Sequence, residues 1–138
     1  MKKIFLDTNV MLDLLLERDP WDHNAALLFS MADRKDVEIQ CCSLSFSTAI
    51  YLMQKLKYSR KEIVYKLTIM KSLCIVTTID GLIIDRVLQS DFDDLEDALQ
   101  HYSALANGAN VIITRNKKDF SEASIPVMTP TEFLDTVA

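Results

Sequence analysis

Glycine, proline and cysteine are all scarce in this chain, with two, three and three among 138 residues. So little glycine and proline, with 49% hydrophobic residues, excludes a disordered or fibrous chain and favours a compact globular one. No glycine-rich phosphate loop is present, and no Ser, Cys or His lies in a nucleophile motif. Cys41 and Cys42 are adjacent, Cys74 stands alone, and there is no CxxC, so a zinc site or a disulfide framework is disfavoured and buried, reduced thiols are expected. No apolar run approaches the roughly 20 residues that cross a bilayer. Lys2-Lys3 is followed by only Ile4-Phe5-Leu6 before Asp7, too short for a secretory signal. The expected location is the cytoplasm, with no membrane partner. A basic surplus is also lacking. The net charge of −5 argues against binding nucleic acid through backbone charge alone. Two local basic clusters soften that: Lys55, Lys57, Arg60, Lys61, Lys66 and Lys71, and then Arg115, Lys117 and Lys118. The first reads equally well as the solvated surface of a helix pair.

What is present is an alternation of strand-like and helix-like segments, consistent with one domain over residues 1–138 and a parallel sheet with crossover helices. Strands are expected at Lys2–Leu6, Val37–Cys42, Cys74–Thr77 and Asn110–Thr114, with a short last one at Val127-Met128. Helices are expected over Val10–Leu16, from an Asp19 cap and Pro20 to about Ala32, over Ser45–Leu56, and from the Ser59-Arg60-Lys61-Glu62 capping box to about Ser72. Further helices run from Asp80 to Leu88, from Asp91–Asp94 to the Asn107-Gly108 stop, and from the Thr129-Pro130-Thr131-Glu132 box onward.

Two aspartates carry most of the chemical information. Asp7 closes the first strand, where ligands of parallel sheets bind. Thr114 and Asn116 close the strand at Asn110–Thr114 and would face the same crevice if the two strands are neighbours. The alternative for Asp7 is a plain helix cap. In the helix around Asp97, an apolar stripe of Leu95, Ala98, Leu99, Tyr102, Leu105 and Ala106 is expected, with Asp94, Asp97 and His101 along its flank and Glu96 pointing away. Acid enrichment at a helix N-terminus explains Asp91 and Asp93, but Asp97 less well. Carboxylates about 4 Å apart repel by roughly 4 kcal/mol at an effective dielectric of 20, so Asp7, Asp94 and Asp97 in one cleft would call for a divalent cation. Oxygen-only ligands favour Mg2+ or Mn2+ over zinc. His101 reads as a helix-surface residue before a proton carrier, and His23 has no evident partner.

Taken in order and spacing, these segments resemble the PIN domain family, especially the small bacterial toxins of toxin–antitoxin pairs. Ile4-Phe5-Leu6-Asp7-Thr8-Asn9-Val10-Met11-Leu12-Asp13 looks like the first family motif, Asp94-Leu95-Glu96-Asp97-Ala98-Leu99 like the acid-bearing helix start, and Ile112–Phe120 like the motif after the fourth core strand. Ile125–Pro130 resembles the usual ending. The resemblance implies a three-layer α/β/α sandwich with a central parallel sheet, and a Mg2+- or Mn2+-dependent ribonuclease. Asp7 and Asp97 would be the metal ligands, with Asp94 in support. Asn116 would stand where many members carry an acid, with Asp119 nearby. Thr8, Asn9 and Thr114 would orient phosphate, water or ligands, and Arg115 and Lys117 would touch the RNA backbone. The implied partners are RNA and a cognate antitoxin; a homodimer through Phe46–Tyr58 is a further possibility, against burial of that segment in the core. One departure stands out. Many active members carry a glutamate early in the helix after the second strand, and Ser43–Tyr51 here contains no acid; Ser47 or Thr48 would have to substitute through water. That departure motivates a second reading, a catalytically silent PIN-like binding module. A dehalogenase-type phosphatase or a receiver phosphoacceptor is a third, weakened because the residue two beyond Asp7 is Asn9.

Overall fold

In the computed structural model, which describes residues 1–138, the first strand β1 (Lys2–Leu6) alternates Ile4 and Leu6 to one face with Phe5 to the other, all three fully buried. A strand buried on both faces needs cover on both, and the remaining chain supplies it. α1 (Thr8–Leu15) and α2 (Trp21–Asp33) lead to β2 (Val37–Cys42); α3 (Ser43–Lys55) and α4 (Arg60–Ser72) lead to β3 (Cys74–Thr77). α5 (Gly81–Leu88) and α6 (Leu95–Ala106) precede β4 (Val111–Ile113), and a 3-10 turn (Lys117–Phe120), β5 (Val127–Met128) and α7 (Pro130–Thr136) complete the chain. The five strands form one all-parallel sheet in the order β3-β2-β1-β4-β5. This is the expected three-layer α/β/α sandwich.

Ile4, Leu6, Ile39, Cys41, Val111 and Ile113 pack with residues of α1, α2, α3, α4 and α7 in the larger core cluster. On the other face, Phe5, Cys42 and Ile112 pack with α5 and α6. The order of strands reverses direction between β1 and β4, because β2 and β3 lie to one side of β1 and β4 and β5 to the other. This switch point opens a crevice at the carboxyl ends of β1 and β4. A receiver-type sheet would instead run 2-1-3-4-5, so the observed order removes the receiver reading.

Both expected capping boxes form, at Ser59/Glu62 and Thr129/Glu132. Gly108 takes a φ of 70° just past α6, the left-handed stop that glycine accommodates without strain. Other boundaries move by a residue or two. α1 starts at Thr8 rather than Val10, α3 at Ser43 rather than Ser45, and α2 at Trp21, so Pro20 stands at the cap position and Asp19 does not cap. No helix is long and apolar enough to cross a membrane.

Candidate active site at the switch point

The crevice is built from the ends of β1 and β4 and from the start of α6. Asp7 N donates to Ile113 O at 2.9 Å, locking the end of β1 to β4. Although Asp7 sits at the cap position of α1, its side chain makes no capping bond. Instead Oδ2 accepts from Thr114 Oγ1 at 2.9 Å and Oδ1 from Gln100 Nε2 at 3.1 Å. The Asp7 side chain is thus held by side chains from two other elements and does not cap α1.

Gln100 is the hub. Its Oε1 accepts from Thr8 N at 3.0 Å and from Thr8 Oγ1 at 3.1 Å. A backbone N–H can only donate, so Oε1 must face Thr8 and Nε2 must face Asp7. With its proton committed to Gln100, Thr8 Oγ1 accepts from Ser45 Oγ, 2.6 Å away. The relay Ser45–Thr8–Gln100–Asp7–Thr114 is entirely buried. It brings together α3, α1, α6, β1 and the end of β4. Thr114 Oγ1 also accepts from Asn116 N at 3.0 Å, turning the chain toward the 3-10 helix.

Gln100 and Ser45 were not among the residues expected from the sequence. The expected apolar stripe of α6 is also displaced. Leu95, Leu105 and Ala106 are exposed, and the buried face holds Ala98, Gln100, His101, Ser103 and Ala104. His101 accordingly lies neither on the surface nor in the crevice. It is buried near Phe92 and Tyr102, and its Nε2 accepts from Ser124 N at 3.1 Å. Burial, with Arg86 nearby, keeps it below the ordinary histidine pKa, and so neutral.

Asp97 sits half-buried in the first turn of α6 and accepts no hydrogen bond from the protein. Burial, followed by the negative charges of Asp7, Asp94, Asp119 and Glu96, pushes its carboxyl up to about 7. Burial also raises Asp7, against the hydrogen bonds from Thr114 and Gln100, with a further push from Asp119. The charges of Asp7 and Asp119 thus both act on Asp97, and that of Asp119 acts on Asp7. Asp94 has another use. Its Oδ1 caps α6, accepting from Glu96 N at 2.9 Å and Asp97 N at 3.0 Å. No three acids or other ligating side chains stand close enough together to hold a metal, so the expected Asp7–Asp94–Asp97 cluster is not assembled. What remains is a pair of oxygen-only acids, Asp7 and Asp97, with Asp119 as a further charge on the surface. Their raised proton affinity and all-oxygen character fit a hard divalent cation such as Mg2+ or Mn2+.

The remaining expected site residues separate. Asn9 and Asn116 are exposed at the crevice rim. Ser47 is exposed and the Thr48 hydroxyl donates back to Leu44 O, so neither joins the relay that Ser45 enters. Lys117 pairs with Glu132 at 3.2 Å, exposed. Arg115 is fixed inward. Its Nε and Nη2 donate to the buried Asp13 at 2.8 and 3.1 Å, and its guanidinium lies 4.0 Å from the centre of the Trp21 ring.

The chain is an all-parallel α/β sandwich with two acids at its switch point. A PIN domain profile matches residues 3–118, and the chain belongs to the PIN domain family. Three solved structures share the fold. VapBC2 of Rickettsia felis, bound to a DNA fragment from its promoter, is 21% identical with a TM-score of 0.64, covering 92% of this chain and 98% of that one. A toxin–antitoxin complex from Klebsiella pneumoniae is 22% identical at a TM-score of 0.67, covering 92% and 97%. VapC20 of Mycobacterium tuberculosis, a sarcin-ricin loop cleaving toxin, is 14% identical at 0.62, covering 79% and 86%. No curated protein matches the chain.

Proposed function

We propose that this protein is a divalent-metal-dependent endoribonuclease and the toxin of a toxin–antitoxin pair. The observation that carries the reading is the placement of Asp7 and Asp97 at the switch point of a PIN fold, both with raised proton affinity. Asp7 and Asp97 would hold Mg2+ or Mn2+, which when bound would polarise the scissile phosphate and favour attack by water. The chain's own part is positional. Gln100 and Thr114 fix both oxygens of Asp7 in direction, so that this ligand needs no reorganisation. Asp97, with no protein donor on its carboxylate, is free to follow the ligand. Asn9 and Asn116 at the rim orient phosphate or water. Asp94 supports Asp97 indirectly, by capping the helix that carries it.

Toxin–antitoxin complexes among the fold's relatives support an antitoxin partner. The exposed Ile50, Tyr51 and Leu56 of the Phe46–Tyr58 segment are the surface on which a homodimer would rest. A second reading, the catalytically silent binding module, is favoured by one observation. The helix after β2 contributes the neutral Ser45 to the site rather than an acid. The two readings part in one assay. Purified protein is incubated with structured RNA in Mn2+, Mg2+ or chelator, alongside Asp97→Asn. Metal-dependent cleavage lost in the variant supports the nuclease; equal and negligible cleavage by two well-folded proteins supports the silent module.

A further inference from the structure

A pocket of about 320 Å³ is lined mostly by polar residues: Trp21, Asn24, Arg115, Thr129, Pro130 and Thr131. Trp21 is its only large apolar group. Arg115 covers the ring from one side, 4.0 Å from its centre, yet Trp21 remains 45% exposed. The guanidinium is held there from behind by the bidentate bond to Asp13, which is itself buried. The indole therefore carries a fixed cation on one side and stays partly open to solvent at the pocket it lines. Asn24 and Thr131, joined by a hydrogen bond of 3.1 Å, lie within the same wall and offer amide and hydroxyl groups. Arg115, in the pocket wall, directly follows Thr114, whose hydroxyl is 2.9 Å from Asp7.

We propose that Trp21 is a stacking platform for an unpaired base of the RNA substrate, with Asn24 and Thr131 meeting the base edge. The proposal rests on the nuclease reading above and names a subsite for its substrate. A flat aromatic with a cation behind it and polar groups at the side suits a nucleobase, whose faces are apolar and whose edge is polar. A peptide side chain would need a larger apolar surround than Trp21 and Pro130 supply. The platform also addresses the acidic charge of the chain. Stacking does not depend on counterion release, so a base can be held at a surface that attracts the phosphate backbone poorly.

Trp21 is the only tryptophan in the sequence, so intrinsic emission reports this site alone. The test titrates the full-length protein, in chelator and as Asp97→Asn, with fluorescein-free and fluorescein-labelled penta-adenylate and pentauridylate RNA. Saturable quenching of Trp21 is expected, following the same curve as the anisotropy of the labelled oligonucleotide. Trp21→Ala should weaken binding by about tenfold or more, and Trp21→Phe should restore most of it. In metal, Trp21→Ala should raise KM with little change in kcat. Binding by anisotropy without quenching, no binding at all, or unchanged affinity in Trp21→Ala would each overturn the proposal. So would equal losses in the Ala and Phe variants that track a fall in melting temperature, since that marks a purely structural ring. Quenching by an antitoxin peptide but not by RNA would assign the pocket to the partner and overturn it too. Quenching without cleavage sinks the nuclease reading alone; cleavage with a silent Trp21 sinks the platform alone.

Discussion

Replacing Gln100 tests whether the buried polar relay holds Asp7 in place. In Gln100→Leu, Asp7 loses a charge-assisted hydrogen bond, about 1.5–3 kcal/mol, and Thr8 N is left buried without its acceptor, about 1–3 kcal/mol. Thr8 Oγ1 keeps Ser45 and contributes little to the loss. Burial of the leucine returns about 1–2 kcal/mol, so the net cost should be about 3 kcal/mol. Gln100→Glu separates donor from acceptor. The new carboxylate still accepts from Thr8 but sets an oxygen 3.1 Å from Asp7 Oδ1, where two full charges repel by about 5 kcal/mol at an effective dielectric of 20. One of the two acids must then take a proton, which regenerates a donor. Relative to wild type, Gln100→Glu should therefore be most destabilised at high pH and approach wild type as pH falls. Urea unfolding of the three proteins at pH 8, 6.5 and 5 measures both effects. A cost below about 1 kcal/mol for Gln100→Leu, or no pH dependence in the Gln100→Glu difference, would refute the relay as the support of Asp7.

Two further outcomes concern charge. Asp13 is buried beneath Arg115 and lies 3.4 Å from Arg18, so Asp13→Ala should cost about 3 kcal/mol by leaving the guanidiniums uncompensated, while Asp13→Leu with Arg115→Met should recover most of it; a double variant no better than the single ones would show that the pair is not the cause. In chelator, the folded protein binds a proton at Asp97 more tightly than the unfolded chain does, because the carboxyl is raised from 3.8 to about 7. Stability from this group therefore falls as pH rises from about 4 through about 7, and Asp97→Asn should flatten that part of the profile. Mg2+ or Mn2+ should oppose the fall in the parent and not in the variant; identical denaturation profiles for the two proteins would contradict the charge crowding described at the site.

The sheet was legible because its strands are short apolar runs bounded by polar stops. Ile4-Phe5-Leu6 and Val111-Ile112-Ile113 admit few other uses in a chain of alternating segments. The capping boxes were legible because they are local. The buried face of α6 departs from the expected apolar stripe because three of its polar residues point inward. Gln100, His101 and Ser103 are buried and bonded to groups 92, 23 and 26 positions away, pairings that no local pattern exposes. Ser45 escaped notice for the same reason, since its partner Thr8 lies 37 residues earlier. Arg115 read as a free cation for RNA, but its match to Asp13 across 102 residues exists only once β4 is placed beside β1. Asp94 read as a ligand because its spacing from Asp97 suits one helix flank. The same spacing is what an N-cap requires, and the cap prevailed.

The two acids at the switch point differ in how they are held, and that difference bears on what the crevice can do. Asp7 has neutral donors on both oxygens and sits on the rigid end of the central strand. Its position is determined before any ligand arrives. Asp97 has none, stands in the first turn of a helix, and is surrounded by negative charge. A site made of two such fixed acids would hold its repulsion permanently. One made of two free acids would let them turn apart into water and lose the geometry. With one acid fixed and the other without a donor, the crevice keeps its shape when empty and, on the proposed reading, retains a reason to take up a cation. Ser45 fits this arrangement, because an acid in its place would compete with Gln100 Oε1 for the proton of the Thr8 hydroxyl. On the proposed reading, the neutral relay thereby fixes Asp7 without adding a third acid, and leaves the strength of cation binding to Asp97.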